Sequence, residues 1–299
     1  LDFLKKFDCF RFVFDRPETL QRLAYECIED NALENVKYTE LRINPYKKPE
    51  NVSVGQVLDS VLAGMEQAKK DYGVEAKLIA SINRSHDVER AMQVVQAAVE
   101  RKDRGIVGLD LAGDEVHNPP EKFTTVFDYA RDNGLHVTVH AGEAVGPESI
   151  DKAVSFLGAE RIGHGVRAQE SDATVQMLKD KGITLEMCPT SNNLLNVVAD
   201  MKSYPCAKYH HNGMKVTINT DDRHIFGVTL SDEYTRLASE TGLTLSELEK
   251  ISRQGLESSF LPEKQRNQEL AKFDQQMLAF TKSLPSQRFE VRQAASTVA

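Results

Sequence analysis

Two kinds of segment alternate along the whole chain. The first kind is short, either apolar or alternating between apolar and polar residues, and it ends in polar residues. The second kind is longer and carries apolar residues at helical spacing. Segments of the first kind occupy residues 40–45, 77–84, 105–113, 136–143, 161–165, 184–192 and 215–222. Strands that alternate with helices in this way predict a parallel sheet covered by helices.

The segments between these strands carry helix signals. In residues 53–72 apolar positions recur every three or four residues, with Ser53 as a candidate N-cap and Gly73 as the stop. A second helix is expected to begin at Pro147, since proline is favoured in the first turn. A third is expected at residues 244–247, where Thr-Leu-Ser-Glu fits a capping box.

Every predicted strand ends in residues capable of chemistry, which is typical of a (β/α)8 barrel, because its site is assembled at the carboxyl ends of several strands. No Gly-x-Gly-x-x-Gly follows the first strand, so a dinucleotide-binding doubly wound sheet is disfavoured. The pattern yields seven strands instead of eight, and we expect the first strand to be missing from this chain. We expect one barrel domain over residues 1–282 and a flexible tail over residues 283–299.

Composition narrows the possible functions. The 299 residues are 40% apolar, and 37 basic against 45 acidic residues give a net charge of −8. Without a basic stripe, binding to nucleic acid or to a membrane surface is not expected. The cysteines are far apart, which together with the absence of a signal-peptide pattern indicates reduced thiols in a cytoplasmic protein. They are Cys9, Cys27, Cys188 and Cys206.

Three of the strand ends carry groups that suit a metal. Alternation along residues 136–140 and 215–221 places His140 and Asp221 on polar strand faces, and His164 ends a third strand. Imidazole and carboxylate are common zinc ligands, and zinc lowers the pKa of a bound water to about 7. Glu143, three residues beyond His140, is placed where a carboxyl group can carry protons without binding the metal.

Five motifs at these strand ends resemble, in order and spacing, the successive motifs of the adenosine deaminase family. They are Asp-Leu-Ala-Gly-Asp-Glu at 110–115, His-Ala-Gly-Glu at 140–143, Arg-Ile-Gly-His-Gly at 161–165, Cys-Pro-Thr-Ser-Asn at 188–192 and Asn-Thr-Asp-Asp at 219–222. The similarity extends from about residue 3 to about residue 282. It implies a metal-dependent hydrolase barrel that converts adenosine, and 2′-deoxyadenosine, to the inosine product and ammonia in purine salvage.

The resemblance implies a role for each matched residue. His140 and Asp221 would be ligands of a single Zn²⁺ per chain. Glu143 would protonate purine N1, and His164 would polarise and orient the zinc-bound hydroxide. Asp110 is not accompanied by a lysine at its strand end, so a second metal bridged by a carboxylated lysine is not expected.

The remaining implied roles concern the purine nucleoside, which is the expected small-molecule partner. The backbone N–H of Gly113 would meet purine N3, since only glycine suits so close an approach. Asp222 would hydrogen-bond N7. Adenine and N6-methyl-AMP deaminases are alternatives on the same barrel, although the 110–115 motif resembles the nucleoside enzymes more.

The chain departs from the family pattern in two ways. The family's first strand carries two further zinc ligands as a His-x-His pair, and none of the eight histidines here forms such a pair. Arg223 stands where many family members have proline. A non-catalytic purine-binding relative that has lost its metal is therefore a further alternative, as is a hydrolase acting on another amidine or amide.

Overall fold

The computed structural model describes residues 16–45 and 52–283. The expectations for Cys9 and for the tail beyond residue 283 lie outside these ranges. The described cysteines, Cys27, Cys188 and Cys206, are free thiols as expected.

All seven predicted strands are present in the described residues and form one parallel sheet in the order β1 to β7. The strands are β1 (Tyr38–Ile43), β2 (Glu75–Asn83), β3 (Ile106–Ala112), β4 (His136–Ala141), β5 (Arg161–His164), β6 (Thr184–Met187) and β7 (Lys215–Ile218). The last two are shorter than predicted, because a helix follows β6 directly and the chain leaves β7 before the Asp221-Asp222 pair. Each strand pairs with the next strand along the chain, as expected for successive βα units.

Helices connect the strands along the chain and follow the last strand. They are α1 (Pro17–Leu33), α2 (Val54–Tyr72), α3 (Val88–Val99), α4 (Thr124–Asp132), α5 (Pro147–Leu157), α6 (Asp172–Lys181), α7 (Pro189–Leu194), α8 (Cys206–His211), α9 (Arg223–Phe226), α10 (Leu230–Thr241), α11 (Leu245–Glu257) and α12 (Glu263–Ser283). Within the described ranges, no helix combines the length and apolarity required to span a membrane.

The predicted helix ends are confirmed. Ser53 forms a reciprocal capping box with Gln56 at the start of α2, and Gly73 ends that helix with φ +71°. Thr244 and Glu247 form the same device at the start of α11. Each such cap satisfies amide groups that the helix leaves without partners and stabilises it by about 1 kcal/mol.

The two faces of the sheet differ in polarity. Outward residues such as Leu78, Leu109 and Val137 are buried in the apolar core shared with the helices. Inward residues are polar, and they contact one another across the sheet: Arg42 of β1 pairs with Glu186 of β6. A contact between strands so far apart in the sheet order shows that the sheet is curled. The described residues therefore form a (β/α)8-type barrel that lacks one strand.

The described residues divide into two compact units, one up to residue 260 and the other from residue 261. The first contains the sheet and every residue discussed below. The second contains α12. The single domain over residues 1–282 stays a prediction.

Candidate active site

Polar side chains from three strand ends meet at the carboxyl edge of the sheet. His140 lies near the end of β4 and His164 is the last residue of β5, and their ring centroids are 5.1 Å apart. Asp221 lies three residues beyond the end of β7 with φ +55°. The structure thus brings the predicted residues His140 and His164 together. A ligand atom of Asp221 lies within 4.8 Å of one of His164.

One group of ligand atoms is close enough to share a metal ion. His164, Cys188 and Asp221 each offer a nitrogen, sulfur or oxygen atom, and these atoms lie within 4.8 Å of one another. Ser191 Oγ donates a hydrogen bond of 2.7 Å to Asp221 Oδ2, which orients the carboxylate. Imidazole, thiolate and carboxylate are the ligand types that zinc prefers. The donor set therefore fits zinc, although this group contains Cys188, for which the sequence predicts no ligand role.

His140 is held by a buried carboxylate. Its Nδ1 lies 2.9 Å from Asp110 Oδ1, and Asp110 Oδ2 accepts a 2.7 Å hydrogen bond from Ser81 Oγ. Burial alone raises the pKa of Asp110, but His140 and Arg42 outweigh it and hold the pKa well below its usual range. Burial lowers the pKa of His140 and Asp110 raises it, with a raised pKa as the result. Asp110 is therefore ionised and accepts the proton of Nδ1.

Arg42 reaches this cluster from β1, the first strand of the sheet. Its Nη2 pairs with Glu186, and its Nη1 lies 3.5 Å from His140 Nδ1 and 3.7 Å from Asp110 Oδ1. Burial lowers the pKa of Arg42, but Glu186 and Asp110 raise it above its ordinary value. Sequence reasoning gave Arg42 no role, although its alternation with Leu41 and Ile43 in a predicted strand could have placed it on the inner face.

Asn192 joins the two residues predicted to be catalytic. Its Nδ2 donates to Glu143 Oε1 at 3.3 Å and lies 3.1 Å from His164 Nδ1, while Tyr204 donates a 3.0 Å hydrogen bond to its Oδ1. Since Nδ2 can only donate, His164 Nδ1 is the acceptor in this contact. Glu143 Oε1 is 3.6 Å from the same Nδ1. The sequence placed Asn192 in a motif without assigning this function.

Helix α7, which carries Ser191 and Asn192, begins at a second buried carboxylate. The backbone N–H of Thr190 donates to both oxygens of Glu233, at 3.2 and 3.1 Å. Burial raises the pKa of Glu233 to about 7, although the Thr190 hydrogen bonds lower it. Glu233 lies 43 residues from Thr190 in the chain, and the sequence carries no signal for this contact.

The predicted substrate-binding residues lie at the same edge of the sheet. Gly113 follows β3 directly with φ +101°, and a Cβ at this position would lie 3.0 Å from Asn83 Oδ1. Asp222 is the N-cap residue of α9. Arg223, which replaces the proline of many family members, pairs with Glu34 at 2.8 Å.

Comparison with known proteins shows extensive similarity to one family. The model of the adenosine deaminase family matches residues 1–276. Adenosine deaminase from Serratia proteamaculans is 39% identical over 268 residues, covering 89% of this chain and 80% of that protein. The enzyme from Pectobacterium atrosepticum is 38% identical over 270 residues, covering 90% of this chain and 80% of that protein.

Solved structures share the fold. Adenine deaminase from Arthrobacter aurescens superposes with a TM-score of 0.86 at 26% identity, covering 92% of this chain and 84% of that one. An amidohydrolase from Burkholderia ambifaria with bound Zn gives 0.84 at 26% identity, with coverages of 91% and 78%. The N6-methyl-AMP deaminase of Arabidopsis thaliana gives 0.84 at 30% identity, with coverages of 91% and 82%.

Proposed function

The chain belongs to the adenosine deaminase family, and from this premise we propose that it hydrolyses the 6-amino group of adenosine and 2′-deoxyadenosine to give the inosine product and ammonia. The observation that carries the proposal is the cluster of Glu143, His164 and Asn192 beside a set of metal-ligand atoms. Hydrolysis at C6 of a purine requires an activated water and a proton donor next to it. The attack creates negative charge in the ring, and the donated proton neutralises that charge.

We propose zinc as the metal, with His140 and Asp221 among its ligands and His164 and Cys188 within reach. Bound zinc would supply a nucleophilic water at neutral pH by lowering its pKa. The contact of His140 Nδ1 with Asp110 leaves Nε2 as the atom that can ligate. Elemental analysis of the purified protein, after loosely bound metal is removed, tests this: close to one zinc per chain supports it, and retention of none contradicts it.

The remaining steps belong to side chains of this chain. Glu143 protonates purine N1, which relieves the negative charge that attack at C6 creates in the ring. His164, whose Nδ1 is held by Asn192 Nδ2, orients the attacking water. The N–H of Gly113 contacts N3 and Asp222 contacts N7, which fixes C6 next to these groups.

The choice of adenosine depends on the relatives. The two adenosine deaminases are 38–39% identical in sequence to this chain. The adenine and N6-methyl-AMP deaminases of known structure are 26–30% identical to it. Both of these structures superpose on this chain, with TM-scores of 0.86 and 0.84. Adenine and N6-methyl-AMP are therefore the second candidate substrates. A protein without catalytic function has no physical need for the Glu143, Asn192 and His164 contacts.

The experiment compares turnover of adenosine, 2′-deoxyadenosine, adenine and N6-methyl-AMP by the purified protein, measured as release of ammonia or, for the methylated nucleotide, methylamine. We expect the highest kcat/KM with adenosine or 2′-deoxyadenosine. The Glu143→Gln variant should lose about 10²- to 10⁴-fold in kcat, because it cannot donate the proton. Faster turnover of adenine or N6-methyl-AMP would overturn the choice of substrate, and no turnover of any of the four would overturn the proposal.

A further inference from the structure

Residues 142–145 carry the proposed proton donor Glu143, and they form neither helix nor strand. Their position therefore depends on contacts from elsewhere in the protein. The backbone N–H groups of all four residues point at one carboxylate, that of Glu115, which is 8% exposed.

The contacts to Glu115 divide between its two oxygens. Oε1 accepts from Gly142 at 2.7 Å. Oε2 accepts from Ala144 at 2.7 Å, from Val145 at 3.0 Å and from Glu143 at 3.3 Å. A carboxylate has about four acceptor sites, and hydrogen bonds to an ionised acceptor are roughly twice as strong as neutral ones. An amide in its place would turn its own N–H groups towards these donors.

A buried arginine holds the chain just before this segment. Arg84 Nη2 donates to the carbonyl oxygen of His140 at 2.7 Å, and Nη1 donates to the carbonyl of Asn118 at 2.9 Å. The arginine is fully buried. Gly142, the first residue bound to Glu115, has φ +69°, and a Cβ there would approach Ile150 Cδ1 to 2.5 Å. The backbone is thus held on both sides of a turn that only glycine fits.

We propose that Glu115 is a positioning residue for deamination, which fixes the backbone of residues 142–145 and so aims the Glu143 carboxyl at the substrate. The proposal rests on the role of Glu143 given above. Glu115 itself acts through the backbone and touches no reacting atom. The contact of Glu143 with Asn192, 3.3 Å long, is the part of the arrangement that Glu115 keeps in place.

The test is a double-mutant cycle of Glu115→Gln and Glu143→Gln. We expect Glu115→Gln alone to lower kcat by about 10- to 100-fold, since misplacement by about 1 Å costs that much, while KM for adenosine changes by less than about threefold. In the Glu143→Gln background we expect Glu115→Gln to lower kcat no further, because there is no proton donor left to misplace. If Glu115→Gln cannot be purified folded, Glu115→Asp, which keeps the charge but shortens the reach, replaces it in the cycle.

Glu160→Gln is the matched control. Glu160 accepts a 3.1 Å hydrogen bond from the backbone N–H of Val137, at the opposite end of the same strand, β4. It shares the chemistry of Glu115 but lies away from the site, so its kcat should stay at the wild-type value. Amide hydrogen exchange supplies a readout independent of activity. The amides of residues 142–145 should exchange faster than in the wild type in Glu115→Gln, and at the wild-type rate in Glu160→Gln.

Each outcome has a distinct meaning. If Glu143→Gln kept the wild-type kcat, Glu143 would not be the proton donor. The positioning role of Glu115 would then be overturned as well. Loss of kcat in Glu143→Gln together with wild-type kcat in Glu115→Gln would overturn the positioning role alone. Equal fold-losses from Glu115→Gln in both backgrounds would also overturn it, since Glu115 would then act independently of Glu143.

Discussion

His140 and Asp110 are joined across neighbouring strands, with His140 Nδ1 2.9 Å from Asp110 Oδ1. Because an ionised carboxylate only accepts hydrogen bonds, a proton lies on Nδ1, and Nε2 is the nitrogen left to bind a metal. Ser81 orients the other carboxylate oxygen. This is the arrangement by which proteins fix a metal-ligating histidine.

We predict that Asp110→Asn weakens metal binding by about 10- to 100-fold, which is the usual effect of losing the partner of a metal-ligating histidine. The asparagine cannot hold the Nδ1 proton as an ionised acceptor does. The measurement is the fraction of zinc retained during titration with a competing chelator. Asp59→Asn, which removes a carboxylate paired with Arg101 on the outside of the sheet, should leave metal retention unchanged. Equal retention by Asp110→Asn and the wild type would show that His140 needs no such partner.

Gly113→Ala is predicted to raise KM for adenosine by about 5- to 10-fold, since the added methyl group displaces the purine from the Gly113 N–H and a hydrogen bond is worth about 1 kcal/mol. The new Cβ also meets the Asn83 side chain at 3.0 Å. Steady-state kinetics give KM directly.

Gly73→Ala is the control for backbone strain alone. Gly73 also has a left-handed φ, +71°, but a Cβ there meets nothing within 4 Å. Both variants should lose about 1 kcal/mol or more of folding free energy, because an L-residue is strained at such φ values. A KM increase in both variants alike would assign the effect to stability and not to the approach of the substrate.

Asn192→Ala is predicted to lower kcat by about 100-fold, because Glu143 and His164 both lose the amide that orients them. It should also cost about 1–3 kcal/mol of stability, since the buried Tyr204 hydroxyl is left without its acceptor. Asn193→Ala, the same change one position along α7, should retain wild-type kcat. Retention of kcat by Asn192→Ala would show that Glu143 and His164 need no link.

The sequence predicts most of the fold, because strand alternation and helix caps depend on residues near one another in the chain. Ser53 with Gln56 and Thr244 with Glu247 are such local devices, and the structure contains both. His140 and His164 could be assigned to the site because each lies at a strand end, and the carboxyl ends of parallel strands share one edge of the sheet. The parity argument for β7 reaches only to Ile218, where the strand ends.

The positioning groups could not be found in this way, since their contacts are distant in sequence. Arg42 pairs with Glu186 only because the sheet curls. Glu115 meets residue 142, 27 positions later, through backbone amides that any residue supplies. Such contacts leave no pattern of side-chain types along the chain, so only the three-dimensional structure reveals them.

The last prediction concerns pH and the buried carboxyl of Glu233, which caps α7 through Thr190. Burial raises its pKa from 4.5 to about 7. Between these two values the native protein holds the proton and the unfolded chain does not, so the free energy of unfolding falls as pH rises through this window. The shift corresponds to about 3 kcal/mol at about 1.4 kcal/mol per pKa unit.

Glu233→Gln removes this dependence, because the neutral amide oxygen still accepts from Thr190 without becoming charged. We predict that urea unfolding gives nearly equal free energies for Glu233→Gln and the wild type at pH 5, and a variant that is more stable by about 3 kcal/mol at pH 8. Glu240→Gln makes the same change at an exposed position of the same helix, α10, and should follow the wild type at both pH values. A gain at pH 8 that is equally present at pH 5 would mean that the native-state pKa of Glu233 is not raised, because the difference depends on pH only where the native protein and the unfolded chain bind different numbers of protons.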